Sequence, residues 1–280
     1  MKLFECQHCG QPLYFENAAC QSCGRRLGYL TSHETLSALE PESEYWRALA
    51  APGVLYRLCR NAAHDACNWL KRVDEPHEFC EACRHNRTIP DLTDQRNLEH
   101  WRKIEVAKHR LFYSLLRLKL PLTTRPQDPG GLVFDFLSGN VAAVPVMTGH
   151  SGGVITINVD EADDSERERQ RRQMEEPYRT LLGHFRHEIA HYYWDKLIWN
   201  TENIGVFRHL FGDERRDYSR ALQKHYEEGP RADWQDRFIS AYASVHPWED
   251  FAETFAHYLH MVDTLETASA FGLSVTPKLK

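Results

Sequence analysis

All eight cysteines of this 280-residue chain lie near its amino terminus, and none follows Cys83. The chain begins Met-Lys-Leu-Phe-Glu-Cys, so an acidic residue and a cysteine precede any apolar signal-peptide core. We therefore expect a cytoplasmic location, where clustered cysteines bind zinc far more often than they form disulfides. The pattern predicts a separate region at the start of the chain that is built around metal ions.

The first four cysteines form two short knuckles, each a Cys-x-x-Cys pair followed by glycine. Two thiolates at this spacing reach one ion, and the glycine accepts the tight turn that follows. The spacing is typical of a zinc ribbon that is complete by about residue 30, a length too short to fold without its metal. The predicted ligands of this first structural zinc are Cys6, Cys9, Cys20 and Cys23.

The other four cysteines end in a further Cys-x-x-Cys pair but begin with a wider gap. We predict a second structural zinc there, with His64 or His77 as a substitute for one thiolate. The alternative is that two of these cysteines are buried apolar side chains. Four protein ligands at each site would leave no open position for a substrate. The predicted ligands of the second structural zinc are Cys59, Cys67, Cys80 and Cys83.

Composition and charge exclude several other classes of protein. Apolar residues make up 42% of the chain, but the runs at 132–137 and 141–147 are far shorter than the roughly 18 residues of a membrane-spanning helix. The net charge is −6, and the first ninety residues hold 10 basic against 11 acidic side chains. We therefore expect neither a membrane nor a nucleic-acid partner. The basic stretch 96–119 has helical apolar spacing, which favours a linker helix with a solvated cationic face.

The second half of the chain has a mixed pattern. After a Pro- and Gly-containing loop at 121–131, short strand-like runs occupy 132–137, 141–146 and 153–159. From residue 178 onward the pattern is mainly helical. A small sheet followed by helices predicts an α+β domain.

The motif His187-Glu188-Ile189-Ala190-His191 lies in a run without proline, so we place it on a helix. Two histidines four residues apart share one face and bind one zinc through their imidazoles. Glu188 would stand beside the water at that metal, where it serves as general base. The motif predicts a catalytic zinc with His187 and His191 as ligands and an unassigned third ligand.

Two segments offer the third ligand. Asp213 and Glu214 stand near the position that thermolysin-like enzymes use, but their surroundings favour a loop. The better candidates are Glu249 and Glu253, one turn apart on a helix that Pro247 suits as a first residue. One carboxylate would bind the metal, and the other would hold a ligating histidine through its second ring nitrogen.

The spacing of these residues resembles the gluzincins, such as anthrax lethal factor. The resemblance rests on the His-Glu-x-x-His motif, the Glu249-x-Phe-Ala-Glu253 stretch and Tyr242, seven residues before Glu249. It implies that Glu249 is the third zinc ligand, that Glu253 supports a ligating histidine, and that Tyr242 assists catalysis.

The whole chain also resembles a bacterial family of zinc-binding metallopeptidases with an amino-terminal zinc ribbon. That resemblance implies a zincin-like metallopeptidase domain after the cysteine-rich region, with peptidase chemistry. The expected domains are 1–30 for the ribbon, 31–92 for the second zinc-binding unit and 93–280 for the peptidase. The stretches of sequence that carry this family resemblance are 86–91, 153–158, 178–188, 211–214 and 246–250.

The function expected from the sequence is zinc-dependent hydrolysis of a peptide or protein substrate, with one catalytic and two structural zinc ions. Zinc would activate the water, Glu188 would take its proton, and Tyr242 would donate a hydrogen bond to the developing oxyanion. The alternative is that the cysteine region docks a protein or nucleic acid while the peptidase domain is a scaffold. Near-neutral charge in the first ninety residues argues against nucleic acid.

Overall fold

A computed structural model of the chain describes residues 2–138, 146–165, 167 and 180–277. Within these ranges the fold is mixed, with a cysteine-rich sheet region first and a carboxy-terminal region of sheet and helices after it. The α+β architecture predicted from the sequence is therefore confirmed. The predicted strand at 141–146 lies almost entirely outside the described residues.

The cysteine-rich region contains a small hairpin and a larger antiparallel sheet. The hairpin pairs β1 with β2, and the sheet has the order β3-β4-β5-β6-β7. Although β3 falls within the ribbon expected at 1–30, it pairs with β4 of the following unit. The strands are β1 (Phe4–Glu5), β2 (Pro12–Leu13), β3 (Leu27–Leu30), β4 (Thr35–Glu42), β5 (Tyr45–Ala48), β6 (Leu55–Leu58) and β7 (Leu70–Arg72).

A second, four-stranded sheet belongs to the carboxy-terminal region, with the order β10-β11-β9-β8. β9 runs parallel to β8 and β11, while β10 is antiparallel to β11. Ile155 and Ile157 of β11 are both buried, as the alternation of a half-buried strand requires. The strands are β8 (Asn86–Thr88), β9 (Val133–Leu137), β10 (Gly149–Ser151) and β11 (Val154–Asn158).

Six α-helices complete the described fold, and their caps explain two of the boundaries. Thr180 accepts a hydrogen bond from the Gly183 amide and starts α2, and Pro247 occupies the first turn of α6. No helix in the described ranges has the length and apolar character needed to cross a membrane. The helices are α1 (Gln95–Arg117), α2 (Leu181–Leu197), α3 (Ile204–Phe211), α4 (Tyr218–Glu228), α5 (Trp234–Arg237) and α6 (Pro247–Ala270).

The helix α1 confirms the helical spacing at 96–119, and four of the seven basic side chains in that stretch, Arg96, Lys103, Arg117 and Lys119, are exposed. Trp101, Ile104 and Leu111 are fully buried, and so is Lys108, which pairs with the buried carboxylate of Glu105. The buried side of the helix packs against the cysteine-rich region and against α2. A cationic side chain in such a place needs a buried anion, which Glu105 supplies.

The two regions share one continuous core. Phe15 of the cysteine-rich region lies edge-on to Tyr113 of α1, with ring centroids 5.3 Å apart. Tyr29 contacts the same cluster and lies 4.9 Å from Trp69. Because buried aromatic contacts cross between the regions, α1 is held against the cysteine-rich region on one side and against the helix carrying the His-Glu-x-x-His motif on the other.

Candidate metal centre

The helices α2 and α6 bring three metal-binding side chains to one point. His187 and His191 extend from adjacent turns of α2, and their Nε2 atoms lie 3.2 Å apart. Glu249, in the first turn of α6, places its Oε2 3.0 Å from the Nε2 of His187 and 3.7 Å from that of His191. Two imidazoles and one carboxylate are the ligands of many catalytic zinc sites.

The carboxylate of Glu249 has the features expected of a metal ligand. Its side chain is 2% exposed, and Oε2 is buried without a hydrogen-bond partner among the described residues. An unsatisfied buried acceptor costs about 1–3 kcal/mol, a cost that a cation at this position would remove. The residues present therefore fit a zinc ion, with the two Nε2 atoms and Oε2 as its protein donors.

A second layer of contacts orients His187. The Nδ1 of His187 lies 2.7 Å from Oε1 of Glu253, and since a carboxylate can only accept, Nδ1 carries the proton. Ser240 donates to the other oxygen of Glu253 at 2.8 Å and accepts from the Ala243 amide. The Nε2 of His187 is thereby left as the metal-facing atom, as in ligating histidines generally.

Tyr218, at the start of α4, is a site residue that sequence reasoning missed. Its hydroxyl donates to Oε1 of Glu249 at 2.8 Å, leaving Oε2 to face the histidines. The Tyr242 ring lies 6.0 Å from the ring of His187. No spacing relative to the histidine motif marks Tyr218, because only the folded chain brings it to Glu249, 31 residues away.

The charges of the site are strongly coupled. Burial opposes ionisation of Glu249, but His187 and His191 outweigh it and hold the pKa of that carboxyl well below its usual range. Burial likewise opposes protonation of His187, whereas Glu249 and Glu253 raise its pKa well above the ordinary value. Burial, followed by the charge of Glu249, raises the pKa of Tyr242, so its hydroxyl stays protonated and able to donate. The site is anionic in character and suited to a cation.

The other carboxylates proposed from the sequence lie elsewhere. Glu214 pairs with Arg208, whose Nε is 2.9 Å from Oε2, and Asp213 pairs with Arg215. Neither joins the histidines in a metal-binding group within the described ranges. His184, one turn before the motif on α2, instead contacts the buried carboxylate of Glu161.

The first cysteine cluster has the dimensions of a zinc site. The sulfur atoms of Cys6 and Cys23 are 3.8 Å apart, and those of Cys9 and Cys20 are 3.6 Å apart. A tetrahedron with Zn–S bonds of about 2.3 Å has edges of about 3.8 Å. The glycine after each knuckle has positive φ, 74° at residue 10 and 71° at residue 24, as the tight turn requires.

The second cluster brings together Cys59, Cys67, Cys80 and Cys83, with the sulfurs of Cys67 and Cys80 3.7 Å apart. Backbone amides donate to two of the sulfurs, that of Trp69 to Cys67 and that of Cys80 to Cys59. His64 and His77, the proposed substitutes, are exposed and stand outside this group. The histidine that does reach the cluster is His109 of α1, which the sequence analysis did not single out.

The hydrogen bond from Tyr218 to Glu249 is expected to strengthen metal binding at this centre. Tyr218→Phe removes the donor to Glu249 without changing the ligands, so we expect the affinity for the catalytic zinc to fall by about 10- to 100-fold. A chelator-competition titration measures this. Tyr258→Phe, an exposed tyrosine of α6, is the matched control and should leave zinc affinity unchanged. Equal affinities in the two variants would show that Tyr218 does not support the ligand.

Comparison with known proteins defines the class to which this fold and site belong. Residues 97–279 match the family described as "Putative zinc-binding metallo-peptidase", and residues 3–94 match a zinc-ribbon domain. The chain belongs to this zinc-binding metallopeptidase family, and its zinc-ribbon region precedes the peptidase-like region.

The chain is also similar to uncharacterized proteins of Mycobacterium bovis and Mycobacterium tuberculosis. Each is 45% identical over 276 residues, an alignment that covers 98% of this chain and 77% of the relative. No solved structure matches the chain. The comparisons thus give the family, whereas the gluzincin type, the site residues and the three domain boundaries stay predictions.

Proposed function

We propose that this protein is a zinc-dependent metallopeptidase of the gluzincin type, with His187, His191 and Glu249 as the ligands of its catalytic zinc. The observation that carries the proposal is the convergence of the two Nε2 atoms on the unpartnered, buried Oε2 of Glu249. Membership of a zinc-binding peptidase family supports it. The cysteine clusters are proposed to hold two structural zinc ions, since four protein ligands leave no open position.

Glu188 is assigned the proton transfers. When bound, zinc supplies Lewis-acid chemistry that polarises the scissile carbonyl and activates water. Glu188 adjoins His187 on α2 and is half-buried, and its charge acts on both His187 and Tyr218. As general base its carboxylate takes the proton of the attacking water and returns it to the leaving amine.

Tyr242 is assigned the role of stabilising the negative charge that develops on the carbonyl oxygen. Its hydroxyl stays protonated, and it lies in a short 3-10 helix, Tyr242–Ser244, immediately before α6. Its ring lies 6.0 Å from the ring of His187, one of the proposed zinc ligands. A donor fixed before the reaction stabilises the transition state without reorganisation.

An extended peptide is the proposed substrate, and β10 is its proposed docking edge. His150 of β10 stacks on the ring of His191, with centroids 6.4 Å apart and planes inclined by 15°. Among the described strands β10 ends the sheet and pairs with β11 alone. A peptide added to such an edge gains main-chain hydrogen bonds beside the metal ligands.

The compartment and the partners are proposed on chemical grounds. Two clusters of free thiol ligands suit a reducing compartment, so we propose that the protein acts in the cytoplasm. Docking of a partner protein through the zinc ribbon is the alternative function. We expect no nucleic-acid partner.

Digestion of a mixed peptide library tests the proposed function. We expect the purified full chain to cleave peptides, a chelator to stop cleavage and added zinc to restore it. Mass spectrometry of the products gives the cleaved bonds and hence the specificity. A zinc-loaded protein that cleaves no peptide in the library would contradict the proposal and favour the docking alternative.

Tyr242→Phe separates a catalytic role from simple packing. Removal of one transition-state donor should lower kcat by about 100-fold while KM and zinc content remain close to those of the parent chain. Initial rates over a range of substrate concentrations give kcat and KM separately. The exposed Tyr258→Phe serves as control, and an unchanged kcat in Tyr242→Phe would assign Tyr242 to the core.

A further inference from the structure

His109 connects the peptidase-like region to the second cysteine cluster. It is buried on α1, and its Nε2 lies 3.2 Å from the sulfur of Cys67, 3.5 Å from that of Cys83 and 4.0 Å from that of Cys80. Cys59 makes no such contact with His109. The nitrogen therefore caps one face of the sulfur tetrahedron, on the side away from Cys59.

The orientation of the His109 ring is that of a metal-binding histidine. Its Nδ1 lies 2.6 Å from the backbone carbonyl oxygen of Glu105, one turn earlier on α1. A carbonyl only accepts, so Nδ1 carries a proton, and Nε2 is the ring nitrogen that faces the sulfurs of the cluster. Ligating histidines commonly donate their other N–H to a backbone carbonyl in this way. The ring of Trp69 packs edge-on against His109 at 5.0 Å and helps to hold this orientation.

We propose that five donors surround the zinc of the second cluster and that four of them bind it at a time. His109 is the donor that can take the place of Cys67. Zinc in structural sites takes four ligands, and both four-cysteine and three-cysteine, one-histidine sets are stable. Cys67 is the cysteine nearest to His109 and the only one of the four that is partly exposed. If Cys67 were lost or blocked, the Nε2 of His109 would take its place and the site would still offer four protein donors.

Such a site joins the two halves of the chain through one metal ion. The four cysteines lie in the part that matches a zinc-ribbon domain, and His109 lies in the part that matches the peptidase family. His109 belongs to α1, which packs against the α2 helix that carries His187 and His191. The fifth donor would keep the zinc, and with it this junction, in place when Cys67 is lost or blocked.

Matched cysteine variants of the full chain test the proposal. Cys67→Ser should keep the zinc of the second cluster, because His109 replaces the lost thiolate. Cys59→Ser removes a thiolate that His109 does not approach and should lose that zinc. Cys67→Ser combined with His109→Ala should lose it as well, whereas Cys67→Ser combined with His100→Ala should not, since His100 is a buried histidine of α1 outside the cluster.

Native mass spectrometry gives the zinc count of each variant, and Co²⁺ substitution reports how many thiolates bind the metal. Retention of zinc in the first cluster and of a cooperative thermal transition show that a variant is folded. The proposal is supported when zinc loss depends on His109 in the Cys67→Ser background. Equal loss of the second-cluster zinc in Cys67→Ser and Cys59→Ser, or its retention when both Cys67 and His109 are replaced, would overturn it.

Discussion

Glu249→Ala is expected to release the zinc of the metal centre and to abolish peptide cleavage. The substitution removes one of three protein donors together with the negative charge that faces His187 and His191. Because the cysteine clusters use separate ligands, their zinc ions should remain. Zinc per chain and the initial cleavage rate, measured on the same preparation, give the result.

Two glutamates serve as graded controls for this variant. Glu253→Ala removes a hydrogen bond to His187 rather than a ligand, so metal binding or activity should weaken by about 10- to 100-fold. Glu214→Ala breaks an ion pair with Arg208 away from the histidines and should keep both zinc and activity. Loss of the catalytic zinc in Glu214→Ala, with its retention in Glu249→Ala, would contradict the gluzincin assignment and favour the thermolysin-like spacing.

Glu188→Gln should separate metal binding from chemistry. The side chain keeps its size but loses the ability to take a proton, so cleavage should fall by about 10²- to 10⁴-fold. Glu188 is not one of the three converging donors, so the catalytic zinc should be retained in full. Initial rates and zinc content are both needed, because a variant that loses activity with its zinc would say nothing about proton transfer.

The matched control for Glu188→Gln is Glu202→Gln, an exposed carboxylate beyond the end of α2. It has the same change in charge and should retain the parental rate. Cleavage at the parental rate in zinc-loaded Glu188→Gln would end the assignment of Glu188 as general base, whatever the fate of the metal ligands.

Local sequence patterns predict much of the candidate site. The four-residue spacing of His187 and His191 places both on one face of α2, because helical geometry alone determines that relation. The one-turn spacing of Glu249 and Glu253, after a proline at the start of α6, marks two carboxylates that reach the same histidine. In the structure Glu249 faces the Nε2 of His187 and Glu253 faces its Nδ1.

The contacts that could not be predicted are those made only by tertiary packing. Tyr218, the first residue of α4, reaches Glu249 at the start of α6 across 31 residues of sequence, and His109 approaches Cys67 across 42. The same cause explains why one basic residue of α1 departs from the predicted solvated face. Tertiary packing buries Lys108 against Glu105, whereas Arg96, Lys103 and Arg117 of the same helix are exposed.

Stepwise metal removal and return tests the central claim most directly. Graded chelation of the full chain, followed by addition of zinc, yields samples in which zinc per chain and the initial rate of peptide cleavage are both measured. We expect cleavage to fall and recover in proportion to the one zinc whose binding Glu249→Ala abolishes, while the zinc of the cysteine clusters stays bound. Full cleavage by chains that have lost that zinc would show that it is not the catalytic ion.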